Sequence, residues 1–357
     1  MKLKLLTILL VGFSISGCNR SETPEQQKSE TQSTNTQSVI ECAPLSDQMA
    51  KIDTSSQIAQ LDEITQQLKD CLPKVDNAQQ LKWLEQSTAM YKKFLDTNNN
   101  TEAQVISFTD YTASILEDSP EDKIDYTKGD AKLFKTLSAR DQYLIQNLGK
   151  SYLDLQYFGE GIFQYRRQPS YLIDVFSPHL SEDQAIFLKQ MAKDNQKSFL
   201  SDGAITIPWS EMVERALFWE NYLKQYPKGY FAEDAKILFR SYRYFTFMGT
   251  GNTPVSYDFV GEKSIDPQAL AEIKKLSQNE DTSLSQQAKA FLEFISMPVE
   301  KRNQTIKVDA TNEDGDTKHE YELTFDQLEK YLKLPSPWTE QDNGKDCYTD
   351  AICFDYE

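Results

Sequence analysis

Apolar residues recur at helical spacing along most of the chain. Ile58, Leu61, Ile64, Leu68 and Leu72 mark one face of a helix over 56–71, which Pro73 stops. Leu81, Leu84, Met90, Phe94 and Leu95 predict a second helix, ended by Asn98-Asn99-Asn100. Thr101 and Glu102 open a third, through Val105, Phe108, Ile115 and Leu116. Ser181-Glu182-Asp183-Gln184 is a capping-box pattern ahead of Ile186, Phe187, Leu188 and Met191. Pro208 suits the first turn of another helix, apolar along one face except at Glu220. Pro227 and Gly229 break that helix, and Phe231, Ala235, Leu238, Tyr242 and Phe245 begin its partner, which Gly249 ends. Residues 267–278 and 282–297 predict two more.

Two stretches leave this rhythm. Residues 152–158, Gly159-Glu160-Gly161 and residues 162–168 have the alternation and turn chemistry of a β-hairpin. Residues 305–308 also alternate, turn through 311–316 and return as 320–325, which predicts a second hairpin near the C-terminus and a short helix at 326–333. The expected fold is mainly α, a multi-helix body with short β-hairpins.

The ends of the chain follow other rules. A basic start (Met1-Lys2-Leu3-Lys4) precedes an apolar run over 5–13, too short for the roughly 20 residues a membrane-spanning helix needs. Ile15-Ser16-Gly17-Cys18 follows and resembles the lipobox of bacterial lipoproteins. That resemblance implies cleavage before Cys18, lipidation of its thiol, and acylation of the new amine. Multiple acyl chains give stable anchoring where one is marginal. Asn19 in place of Asp implies, by the sorting rule of that family, the outer membrane. Residues 19–41, rich in Ser, Thr, Gln, Asn and Glu, hold too little apolar surface to offset their ordering entropy and predict a disordered tether. Such a tether reaches roughly 25 Å on average. The expected organisation is a signal peptide over 1–17, an anchor and tether over 18–41, a helical domain over 42–298, and a C-terminal β-hairpin with a disulfide-closed tail over 299–357.

Charge then narrows the partners. The chain carries 38 basic and 55 acidic residues, and signal-peptide cleavage removes Lys2 and Lys4 as well. So acidic a body is poorly suited to nucleic acid, whose binding needs a basic face, or to broad contact with anionic lipid. Lipidation of Cys18 leaves Cys42, Cys71, Cys347 and Cys353, an even number suited to two disulfides in an oxidising compartment. Three pairings are possible. Cys42 with Cys71 and Cys347 with Cys353 is the preferred one, provided residues 43–55 run back along the helix that ends near Cys71.

Segment 216–245 resembles a tetratricopeptide-like helical hairpin, as in outer-membrane assembly lipoproteins, with a weaker echo at 83–116. Neither extends into the period of about 34 residues that a true array needs. The run 199–255 also looks like secreted bacterial proteins without assigned function.

The chemistry search is mostly exclusion. Two histidines, His179 and His319, leave no room for an HExxH zinc site, and GxSxG and a Walker loop are absent. Gly249-Thr250-Gly251 lacks a third glycine and a preceding strand. In Asp309-Ala310-Thr311-Asn312-Glu313-Asp314-Gly315, setting Gly315 at calcium-loop position 6 puts Ala310 at position 1 and Tyr321 at position 12, so both essential ligands fail. No metal or cofactor is expected. Glycan cleavage needs two facing acids. Glu160, Asp202, Glu211 and Glu220 are the candidates, and Glu160, Trp209, Trp219 and Glu220 the candidate binding cleft. The expected function is a non-catalytic scaffold or binding module of the cell envelope, anchored in the outer membrane through Cys18. It would face the periplasm or the cell surface and meet an envelope protein or the cell wall. The alternative is a carboxylate-dependent peptidoglycan hydrolase.

The anchor is directly testable. Labelled fatty acid should attach to the wild-type chain, and Cys18→Ser should lose both the label and sedimentation with membranes. A Cys18→Ser chain that still sediments with membranes would contradict lipid anchoring.

Overall fold

The computed structural model describes residues 42–117, 119, 124–279, 282–312, 314–337 and 344–355. The expected signal peptide over 1–17, Cys18 and the expected tether over 19–41 lie outside the described residues. Fourteen helices and three short antiparallel strand pairs form the described part. No helix among the described residues is long and apolar enough to cross a membrane.

The N-terminal third begins with α1 (Leu45–Ala50) and α2 (Ile58–Cys71). Gln57 and Gln60 close a capping box at the start of α2. The segment from Cys42 does return along α2, so Cys42 and Cys71 are bridged, with Cα atoms 5.9 Å apart. α3 (Asn77–Leu95) starts at Asp76, whose carboxylate accepts from the Gln79 N–H. α4 (Glu102–Glu117) follows, but the two do not pack as a helical hairpin. Two short helices, α5 (Ala131–Phe134) and α6 (Ala139–Gln146), lead to the expected β-hairpin, β1 (Leu153–Tyr157) with β2 (Phe163–Arg167).

Beyond the hairpin come α7 (Ser170–Val175) and α8 (Glu182–Asp194), the latter with its Ser181–Gln184 capping box in place. A two-residue strand pair, β3 (Leu200–Ser201) with β4 (Ala204–Ile205), precedes α9 (Trp209–Gln225). Pro208 is the residue that caps α9 rather than part of its first turn. α9 and α10 (Ala232–Met248) form the most extensive helical hairpin, and α11 (Pro267–Ser277) with α12 (Ser283–Ser296) forms the next. Their apolar faces merge in one large core running from Cys42 to Cys353. A smaller cluster of Tyr111, Ile115, Leu137, Leu155 and Phe163 joins α4 to the β1–β2 hairpin.

The C-terminal region differs from expectation. Where a strand was expected from residue 305, α13 (Val299–Thr305) is ending, and where its partner was expected, α14 (Glu320–Leu332) begins. Among the described residues a single Thr311–Thr317 bridge is the pairing between them. The physical reason is a local cap. The His319 N–H donates to the Glu322 carboxylate at 2.6 Å, and the His319 side chain accepts from the Glu322 N–H. Thr324, Leu328 and Leu332 then bury one face at i, i+4, i+8. The strand pair near the C-terminus lies further on, as β5 (Lys345–Asp346) with β6 (Phe354–Asp355), flanking the Cys347–Cys353 disulfide.

That disulfide loop is threaded into the body by ions. Arg167, at the end of β2, donates to the Asp350 carboxylate at 2.8 and 3.1 Å, with both residues buried. Its guanidinium lies 4.9 Å from the Tyr171 ring. From the C-cap of α8, the Asn195 amide donates to the Cys347 and Asp350 carbonyls at 2.9 and 2.7 Å. A buried pair adds little net stability, but removing one partner strands the other charge and costs about 3–5 kcal/mol. Asp350→Ala should therefore lower the urea midpoint strongly. Arg167→Met with Asp350→Leu should recover much of that loss, since no charge is left unpaired. A midpoint unchanged in Asp350→Ala would show that the pair is not confined as described.

Candidate functional site

Of the four candidate carboxylates, Glu160 and Asp202 come together, whereas Glu211 and Glu220 take up separate structural roles. Glu220 is buried, and its Oε1 accepts from the Ser283 N–H at the start of α12 at 2.6 Å. That is a helix-capping role. Trp219 is fully buried against Phe187, Phe218 and Tyr222, and Trp209 is buried in the same core. They are packing residues rather than exposed platforms. Glu211 pairs with Arg215 at 2.7 Å, one turn along α9.

Glu160 finds a partner in another of the candidate acids, Asp202. It sits exposed at the tip of the β1–β2 turn and hydrogen-bonds Asp202 in the β3–β4 turn. That bond and the repulsion of Asp202 raise the Glu160 pKa. Glu160 and Asp202 both adopt positive φ, at 51° and 48°. Between them, Gly159 leaves no room for a side chain, since an added Cβ would lie 2.7 Å from the Asp202 nitrogen. Two carboxylates in direct hydrogen-bond contact are closer than the roughly 5–9 Å separations used in glycoside cleavage. Neither histidine joins them. His319 caps α14, and His179 lies in the turn between α7 and α8. Among the described residues no cluster of three metal-ligating side chains forms.

A different region has the form of a binding site. α10 ends at Met248, and Gly249 reverses the chain at φ 72°. Only glycine fits there, because an added Cβ would meet the Thr253 carbonyl at 2.2 Å. The loop closes through the Thr250 N–H to the Thr253 carbonyl at 3.0 Å and the Val255 N–H to the Met248 carbonyl at 3.2 Å. The chain then runs through Tyr257 to Phe259, which is buried at φ 52°. Two contacts hold this unusual backbone. The Phe259 N–H donates to Ser256 Oγ at 2.9 Å, and the Arg302 guanidinium donates to the Phe259 carbonyl at 2.6 Å. α14 lies alongside and presents Tyr321 and Phe325 one turn apart. The Phe325 ring packs 5.2 Å from that of Phe259.

Between these parts lies a cavity of about 490 Å³, walled by Tyr244, Met248, Pro254, Tyr257, Tyr321 and Phe325. Its size falls in the range of small-ligand and peptide-anchor pockets. Most aromatic side chains of this protein are buried, yet Tyr257 is 75% exposed and Tyr321 is 55% exposed at this rim. On one wall the Tyr244 hydroxyl donates to Glu329 at 2.7 Å. Burial raises the pKa of both groups, with the Glu329 charge adding to the rise at Tyr244. The site therefore offers a mostly apolar, aromatic surface with one fixed polar pair. The sequence carried one signal of it, Tyr321 and Phe325 at i, i+4, which a strand reading of 320–325 conceals.

A second polar cluster holds α8, α9 and α10 together. Asp194 is buried 3.4 Å from Arg215, and the Arg215 guanidinium also donates to the Tyr242 hydroxyl at 3.1 Å. Burial pushes the Asp194 pKa up to about 6, against the opposing pull of Arg215. A carboxyl whose folded pKa lies above its unfolded value binds its proton more tightly when folded. Its contribution to stability is then greatest at low pH, falls as pH rises from about 4 to about 6, and is flat above that.

No family model, curated protein or solved structure matches this chain.

Urea midpoints at pH 5 and pH 7 test the Asp194 environment. Relative to Asp194→Asn, the wild type should lose stability between these values, by about 1 kcal/mol, the part of the linkage that lies between pH 5 and the folded pKa. A wild type that gains stability relative to the variant as pH rises would show that Arg215 outweighs desolvation.

Proposed function

We propose that this chain is an outer-membrane-anchored lipoprotein of the cell envelope whose helical body is a non-catalytic binding module. The aromatic cavity between the α10–Pro254 loop and α14 is its contact site. The occupant we favour is an extended, apolar or proline-containing segment of an envelope protein. One observation carries the reading: of the three exposed aromatic side chains among the described residues, two, Tyr257 and Tyr321, flank one apolar cavity, while the third, Tyr230, lies elsewhere and is bonded to Glu85. Tyrosine is enriched at protein interfaces because its ring packs while its hydroxyl stays wet. Aromatic-lined grooves also suit preformed extended peptides, which lose little entropy on docking.

The rest of the chain suits this role. Lipid on Cys18 and the flexible tether hold the body near the membrane, and its acidity keeps it from lying flat on anionic lipid. Glycan hydrolysis draws no support from Glu160 and Asp202, whose contact leaves no room for a sugar between them.

A photo-crosslinking residue in place of Tyr257, in the full chain in intact envelopes, tests this. One discrete protein adduct should form. It should disappear when Tyr321→Ala is added, and it should not form from a crosslinker at the exposed Glu233. An absent adduct, an adduct indifferent to Tyr321→Ala, or capture of cell-wall glycan in its place would overturn the proposal.

A further inference from the structure

A second cavity has the opposite chemistry. It measures about 410 Å³ and lies between the end of the β1–β2 hairpin, the start of α7 and the last turns of α8. Pro169, Ile173 and Ala192 give it an apolar side. Its charged lining is Asp154, Arg166, Lys189 and Lys193. Arg166 and Asp154 neutralise each other at 2.9 Å. The guanidinium is further fixed to the carbonyls of Asn195, Gln196 and Thr349 at 2.9, 3.2 and 3.3 Å. Of the nearby acids, Asp194 pairs with Arg215 and also feels the Lys193 charge, and Asp174 is bonded to the Tyr152 hydroxyl.

Two positive charges therefore remain. Lys189 and Lys193 are exposed, and neither ammonium has a hydrogen bond or ion pair among the described residues. They stand one turn apart on α8, about 6 Å between Cβ atoms, so both can reach a single group. Like charges at this spacing repel and weaken a helix slightly. On a chain with net charge −17, two lysines outside any ion pair over one cavity form a local reversal of sign, though Asp194 offsets part of the Lys193 charge. Gln168, Ser170 and Gln196 line the same space with polar side chains.

We propose that this cavity binds a small phosphomonoester. Its doubly charged head would sit between Lys189 and Lys193, and its carbon stem against Ile173 and Pro169. Lysine is a point-charge phosphate binder with freely turning donors, and two of them match a tetrahedral dianion. The rigid Arg166–Asp154 pair fixes the wall without adding net charge. The site shares no lining residue with the aromatic cavity and does not depend on that reading.

Calorimetric titration of the purified full chain in detergent micelles, with phenyl phosphate as probe, tests the site. Saturable binding is expected. It should weaken about tenfold or more in Lys189→Gln with Lys193→Gln, the order expected for losing charge-assisted bonds. A charge-matched control, Lys236→Gln with Lys275→Gln, should bind as wild type. Inorganic phosphate should bind more weakly because it lacks the stem, and succinate and benzyl alcohol more weakly still. No saturable heat would overturn the proposal, as would equal binding in the Lys189/Lys193 variant. Succinate or benzyl alcohol binding as well as phenyl phosphate would do the same.

Discussion

Arg167 and Asp350 meet in the interior although 183 residues separate them in sequence. Much of the architecture depends on that meeting. Asp350 belongs to a loop closed by Cys347–Cys353, short and without helix of its own. The loop buries Ala351, Ile352 and both cysteines in the core, with Tyr348 packed against Phe199. The buried guanidinium adds specificity to that apolar docking, because a charge already removed from water accepts few alternative positions. Asn195 and Arg166 then fix the loop's carbonyls, and Lys345 pairs with Asp234 on α10 at 2.7 Å. The C-terminus thus ties the β1–β2 hairpin to α8 and α10, and Arg215 continues the tie from α8 through α9 by way of Asp194.

The parts of this arrangement that local chemistry dictates could be read from the sequence. Periodic apolar positions with clear caps, as at Ser181 and Pro208, gave helices within a residue or two of their observed bounds. Gly159-Glu160-Gly161 placed the hairpin, and reach and compactness favoured the observed disulfides. Short helices such as α1, α5, α6 and α7 escaped because four to eight residues show too little periodicity. Segment 320–325 failed differently. Tyr321, Leu323 and Phe325 alternate like a strand, and only the His319–Glu322 cap and the continuation to Leu332 decide for helix.

Candidate site residues were less legible for a related reason. Trp209, Trp219 and Glu220 have the composition of a ligand cleft, but the same residue types build cores and caps, and burial decides between the two uses. The aromatic cavity draws on Tyr244, Tyr257 and Tyr321, spread over 78 residues and brought together by the Gly249 reversal and the left-handed Phe259. No local pattern encodes that convergence. What sequence did place was the neighbourhood: the α9–α10 hairpin and the loop after it hold one wall of the cavity. Fold and site then agree on a division of labour. Buried ion pairs and the core hold the body together, and two exposed tyrosines stand at one rim, where the proposed partner would dock.

Hydrogen exchange tests that contact most directly, comparing the purified full chain with the same chain in native envelopes. The account predicts added protection at the amides of residues 249–257 and 320–325 in the envelope, with the helical core unchanged. Unchanged exchange at those segments, or new protection confined to other faces of the body, would contradict it.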